Sequence, residues 1–204
     1  MLLVVGGHSR NIGKTSVVEG LIRRFRQKKW TALKITQYGH GGLLPRVRSL
    51  RLRDGAGTPV RPQRGVRGRS DRLRRFLAAG AERSLWLRTP MGELARAQST
   101  LAKIVHASAN LIVESNSVLE LWNPDLFLMV LDFSCADFKP SSLRFMDQAD
   151  AFVVIDRGIN VPLWEAVARG VWDHKPRFVV ESPNYVTAAV SEFVRSRLSV
   201  EPSR

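Results

Sequence analysis

Cysteine is nearly absent. Cys135 stands alone, so no internal disulfide can form and no cysteine cluster can hold zinc. Long apolar runs are also missing, and none reaches the roughly eighteen residues of a membrane-spanning segment. The N-terminus leads straight into Leu2, Leu3, Val4 and Val5 and then glycine, without the basic region and longer apolar stretch of a signal peptide. These features point to a cytoplasmic protein with no membrane partner. No Ser-His-Asp order and no metal-ligand spacing stands out, and His106 and His174 lack a partner pattern. Lysine is missing between Lys34 and Lys103. What remains is a globular composition: 204 residues, 44% hydrophobic, enough for a single domain over residues 1–204 with a real core.

The net charge is +14, which by itself suggests an acidic or nucleic-acid partner. Its distribution weakens that reading. Residues 46–75 hold eleven arginines and two aspartates, +9 in all, leaving +5 for the rest. Residues 41–70, rich in Arg, Gly, Pro and Val, show no lasting period. Three readings stand open for them: a disordered or mobile loop, an anion-binding arm, or a segment translated in a shifted frame, since GC-rich DNA out of frame yields arginine, glycine and proline.

Elsewhere short β-like runs alternate with helical ones. Strands are expected at 2–5, 30–36, 84–88, 110–114, 126–131, 151–155 and 177–180. Helices are expected at 15–27, 71–81, 93–107, 141–147, 162–168 and 188–198. Such alternation implies right-handed βαβ units and an α/β fold with a mostly parallel sheet, covered by helices on both faces.

The first strand–helix junction reads Val4-Val5-Gly6-Gly7-His8-Ser9-Arg10-Asn11-Ile12-Gly13-Lys14-Thr15-Ser16. It ends as the P-loop pattern G-x-x-x-x-G-K-[ST] does, after a strand and before a helix, and so predicts a P-loop NTPase-like fold. His8 stands at the first glycine position, with Gly7 one residue earlier. The loop from Gly7 through Ser16, including His8, Ser9, Arg10, Asn11 and Ile12, would wrap backbone N–H groups around a phosphate. Gly13 would permit the turn, and the helix would offer its positive end. Lys14 would reach the β- and γ-phosphates of GTP or ATP, and Thr15 would place its hydroxyl on Mg²⁺.

Glu114 ends an apolar strand, where ligands bind in open parallel sheets. It is a candidate for holding Mg²⁺ or orienting a water, and with Lys14 forms the candidate catalytic pair. Asp132 ends the next strand and is the alternative metal ligand. Lys34, Thr36, Gln37 and His40 lie at or after the second strand's end.

Three blocks resemble the MobB-type molybdopterin-guanine dinucleotide biosynthesis adaptors, which are small P-loop GTP-binding proteins. They are residues 6–16, Leu33-Lys34-Ile35-Thr36-Gln37-Tyr38-Gly39-His40, and Leu111-Ile112-Val113-Glu114-Ser115. The likeness extends more loosely through 124–132 and 149–156, about two thirds of the chain. It implies GTP and Mg²⁺ as ligands, weak GTPase activity, and a helper role in attaching GMP to molybdopterin beside a separate nucleotidyltransferase. A homodimer is also implied. Carried over by position, Lys14 and Thr15 would hold phosphates and metal, Glu114 would take the acidic role, and Lys34 would face the site. The Asn-Lys-x-Asp base-reading signature is missing. The comparable strand end reads Val153-Val154-Ile155-Asp156-Arg157-Gly158, which leaves Asp156 as the candidate base contact and guanine over adenine open. Other readings are a P-loop kinase or ligase acting on a small molecule, and an Arg-rich module for nucleic acid or an acidic partner.

Overall fold

A computed structural model describes residues 1–39, 51–54, 71–164, 167 and 169–198. Eight strands form one sheet in the order β3-β4-β2-β5-β1-β6-β7-β8. They are β1 (Leu2–Gly7), β2 (Thr31–Tyr38), β3 (Arg51–Asp54), β4 (Arg83–Pro90), β5 (Leu111–Glu114), β6 (Leu126–Asp132), β7 (Ala151–Ile155) and β8 (Arg177–Val180). All neighbours pair parallel except β3, which runs antiparallel along β4. The centre is what the sequence predicts. Strands β5, β6 and β7 are buried at every position, because helices cover both faces and leave no place for alternation. β8 alternates toward exposure, as an outer strand does.

The helices are α1 (Lys14–Arg24), α2 (Asp71–Ala79), α3 (Gln98–His106), α4 (Pro140–Phe145) and α5 (Ala188–Leu198). One sheet face packs against α1, α2 and α5 through Leu3, Val5, Ile112, Leu128, Val18, Leu21, Phe76, Val190 and Val194. The other packs against α3 and the segments around α4 through Leu33, Val113, Met129, Leu101, Phe145, Trp164 and Trp172. Val17, Val18, Leu21 and Ile22 of α1 are fully enclosed, at about 1.5–3 kcal/mol each. Arg75 of α2 forms an ion pair with Glu19 of α1, its Nη2 donating to the carboxylate at 2.8 Å.

The sequence differs from this fold in four places. The helix expected at 15–27 closes at Arg24, and the one expected at 93–107 begins with a 3-10 turn over Leu94–Ala97. The helix expected at 162–168 is not present over residues 162–164. There the Leu163 amide donates to the Phe133 carbonyl at 3.0 Å, and Trp164 stacks edge-on with Phe133, Phe138 and Trp172. Burying one indole in that cluster overrides the local helical spacing. In the arginine-rich region, Arg51–Asp54 forms an edge strand to which the sequence assigned no element. Residues 40–50 and 55–70, on which the loop, arm and frame readings bear, lie outside the described residues, and so does His40.

The chain leaves β1 toward β2 on one side and leaves β6 toward β7 on the other. The chain therefore leaves these two neighbours in opposite directions, the topological switch at whose strand ends open α/β sheets bind ligands.

Candidate functional site

The loop after β1 has the backbone a phosphate cradle needs. Asn11 has φ 57° and Gly13 φ 104°. Asparagine and glycine are among the few residues that tolerate this left-handed region. Gly13 caps α1 without a side-chain hydrogen bond, and the first turn carries no acid, so the positive end of the helix stays available to an anion. A Cβ on Gly7 would come 2.8 Å from the Lys14 side chain, which crosses directly over the loop there. Lys14 Nζ donates to the Ser9 carbonyl at 2.5 Å.

Three predicted residues converge. Glu114 accepts the Thr15 hydroxyl at 2.8 Å on one oxygen and the Lys34 ammonium on the other. Lys34 Nζ also lies 3.4 Å from the Thr15 hydroxyl. Lys34 and Glu114 are direct partners across the β2–β5 ladder, and their side chains are 5% and 6% exposed. Of the other described residues at 34–38, Thr36 accepts from the Trp86 indole at 2.9 Å and Gln37 from the Gly92 amide at 2.9 Å. These two tie β2 to β4 and its turn.

Asp132 lies elsewhere. Its Oδ1 accepts the Ser134 amide and hydroxyl at 2.9 and 2.5 Å, and its Oδ2 faces Arg157 at 3.4 Å. Burial opposes its charge, but these donors outweigh burial and hold the carboxyl below its usual range. The structure thus brings Glu114, not Asp132, to Thr15. Asp156 is exposed after β7 and accepts the Gly158 amide at 2.7 Å. Its neighbour Ile155 packs beside Gly13. Ser16 borders a cavity of about 550 Å³ running along α1 between Arg75 and the turn that carries Asn184 and Tyr185.

His8, expected as a loop residue in place of glycine, is completely buried. Its ring lies 4.7 Å from Phe138 and its Nε2 meets the Cys135 carbonyl at 3.0 Å. Its Nδ1 has no hydrogen-bond partner among the described residues. Burial lowers its pKa below the ordinary value. The ring anchors the phosphate loop to the aromatic cluster.

Two residues escape a reading of the sequence. Asn116 accepts the Gly7 amide at 2.8 Å and donates to the Gly7 carbonyl at 3.1 Å, fixing the loop at its first glycine. Lys139, just before α4, donates its amide to the His8 carbonyl at 2.9 Å, and its charge acts on Lys14. Its only signal in the sequence is a lysine beside the proline that starts a helix. Burial, with the charge of Lys139 next, pushes Lys14 down to about 7. Burial likewise lowers Lys139.

A glycine-bearing loop between a buried parallel strand and a helix, ending in Gly13-Lys14-Thr15, within a helix-covered parallel sheet, defines an α/β P-loop NTPase-like fold. No protein-family model matches the chain, and no curated protein matches it. Among solved structures, the chain is similar to HypB from Helicobacter pylori in complex with nickel, with 14% identity and TM-score 0.49, covering 96% of this chain and 84% of that one. It is also similar to the signal recognition particle receptor FtsY from Elizabethkingia anophelis in complex with GDP. There the identity is 13% and the TM-score 0.44, with 98% of this chain and 64% of FtsY covered. No helix among the described residues is long and apolar enough to cross a membrane.

Proposed function

We propose that the chain binds a nucleoside triphosphate with Mg²⁺ at Gly7 through Ser16, that the nucleotide is GTP, and that the protein is a weak GTPase assisting formation of molybdopterin guanine dinucleotide. The observation that carries the nucleotide reading is the meeting of Thr15, Lys34 and Glu114 at the uncapped start of α1, where Lys14 lies along the loop against the Ser9 carbonyl. The guanine base, the molybdenum cofactor role, the nucleotidyltransferase partner and a homodimer rest on the resemblance of residues 33–40 and 111–115 to the MobB-type adaptors.

The residues suit Mg²⁺. Thr15 and Glu114 present hard oxygen donors in direct contact, the kind this ion prefers, with phosphate oxygens supplying further ligands. Mg²⁺ would neutralise charge on the β- and γ-phosphates. Lys14 exchanges its bond to the Ser9 carbonyl for phosphate oxygens. The Lys34–Glu114 pair holds the Thr15 hydroxyl in place. Asn184 and Tyr185 at the cavity that Ser16 borders, and Asp156 at the end of β7, would be the residues to hold the nucleoside.

Titration with fluorescent GTP and ATP, with Mg²⁺ and then with EDTA, tests this. Mg²⁺-dependent binding with GTP preferred is expected. Lys14→Ala should weaken it about 10- to 100-fold, the scale of a lost charge-assisted contact. Equal or tighter ATP binding removes the guanine assignment, and no binding to either nucleotide ends the proposal.

A further inference from the structure

We infer that Lys139 is a second phosphate-binding lysine, delivered by the loop after β6 to the polyphosphate that Lys14 holds. The inference rests on the nucleotide reading and names a residue which that reading does not need.

Placement is the first argument. The Lys139 amide donates to the His8 carbonyl at 2.9 Å, and the Ser142 hydroxyl donates to the same carbonyl at 2.9 Å. The Cys135 carbonyl meets His8 Nε2 at 3.0 Å, and Asp137 accepts the Ser9 hydroxyl at 3.0 Å. Four contacts to two consecutive residues bind the β6 loop to the phosphate loop. The base of the Lys139 side chain is therefore fixed relative to Lys14, which reduces the ordering cost a flexible lysine pays on binding.

Charge is the second. Lys14, Arg10, Glu114 and Lys34 are the side chains whose charges and bonding act on the Lys139 ammonium. Within this group Glu114 is the one acid, and Lys34 already pairs with it. Asp132 is engaged by Ser134 and Arg157, and Asp137 by Ser9. The group therefore carries an excess of positive charge, which a ligand with several negative charges offsets more fully than a monoanion does.

The fold uses the backbone of Lys139, which an alanine keeps, so its side chain can be tested separately. Lys139→Ala, Lys139→Met and Lys139→Arg are titrated with GTP, GDP and inorganic tripolyphosphate in the presence of Mg²⁺, with thermal midpoints measured in parallel. The expected result is an affinity loss of about 10- to 100-fold for GTP and tripolyphosphate in the Ala and Met variants. Arg is expected to recover much of it, and thermal midpoints are expected to stay at or above wild type. Wild-type affinity in Lys139→Ala, alongside lost binding in Lys14→Ala, overturns the inference and leaves the nucleotide reading standing. A lowered midpoint with an affinity loss that arginine does not recover assigns Lys139 a structural role and overturns it as well. If the wild-type chain binds neither nucleotide nor tripolyphosphate, both readings fall together.

Discussion

Replacing Lys34 with methionine leaves the Glu114 carboxylate enclosed without the cation beside it. The two side chains are 5% and 6% exposed, so solvent offers little screening. Removing one member of such a pair costs about 3–5 kcal/mol, a large share of the roughly 5–15 kcal/mol that holds a domain folded. The Thr15 hydroxyl still donates to Glu114 at 2.8 Å, which favours the lower end. At about 2–4 °C per kcal/mol for a chain of this size, a loss of about 3 kcal/mol lowers the thermal midpoint by about 6–12 °C. The damage should come from the orphaned charge rather than from the lost attraction. Adding Glu114→Gln to Lys34→Met should therefore recover most of the stability, leaving the double variant within about 1–2 kcal/mol of wild type. Urea unfolding at neutral pH with circular dichroism, on wild type, both single variants and the double, measures this. A Lys34→Met variant as stable as wild type, or a double variant no better than the single, refutes the reasoning.

Nucleotide affinity should depend on pH through Lys14. Its pKa is about 7 without nucleotide, and phosphate favours the ammonium and raises it, so binding takes up a proton above pH 7. Affinity should fall by up to about tenfold per unit between pH 7.5 and 9, where phosphates are fully ionised; a flat profile in calorimetric titrations contradicts this. Without nucleotide the lowered pKa has the opposite consequence. The unfolded chain binds the extra proton, so the Lys14 contribution to stability should improve as pH rises from about 7 toward the ordinary lysine value, readable in pH-dependent urea midpoints. Asn116→Ala should cost about 1–3 kcal/mol by leaving the Gly7 amide and carbonyl without their partner, and should weaken nucleotide binding; chemical denaturation and the same titrations check both effects. His8→Gly moves the loop toward the common P-loop pattern, yet should destabilise the protein by about 1–3 kcal/mol through lost aromatic packing. Higher stability or tighter nucleotide binding in that variant would count against the anchoring role of the ring.

The alternation of apolar strands and amphipathic helices, and the glycines flanking Lys14, are local signals. They depend on backbone sterics and side-chain period, so the sequence alone determined the parallel sheet, the strand–loop–helix junction and the placement of Glu114 at a strand end. Which strands become neighbours is a matter of long-range packing. Only the tertiary structure put β2 beside β5, so that Lys34 meets Glu114 and Thr15, while Asp132, an equally plausible acid by position, was taken by Ser134 and Arg157. The same holds for His8, which reads as a misplaced loop residue until residues 133–142 fold over it. Asn116 and Lys139 have no motif because each acts across more than a hundred residues of chain. A contact at that separation leaves no period in the sequence; it exists only once the sheet has brought the ends of β1, β5 and β6 together.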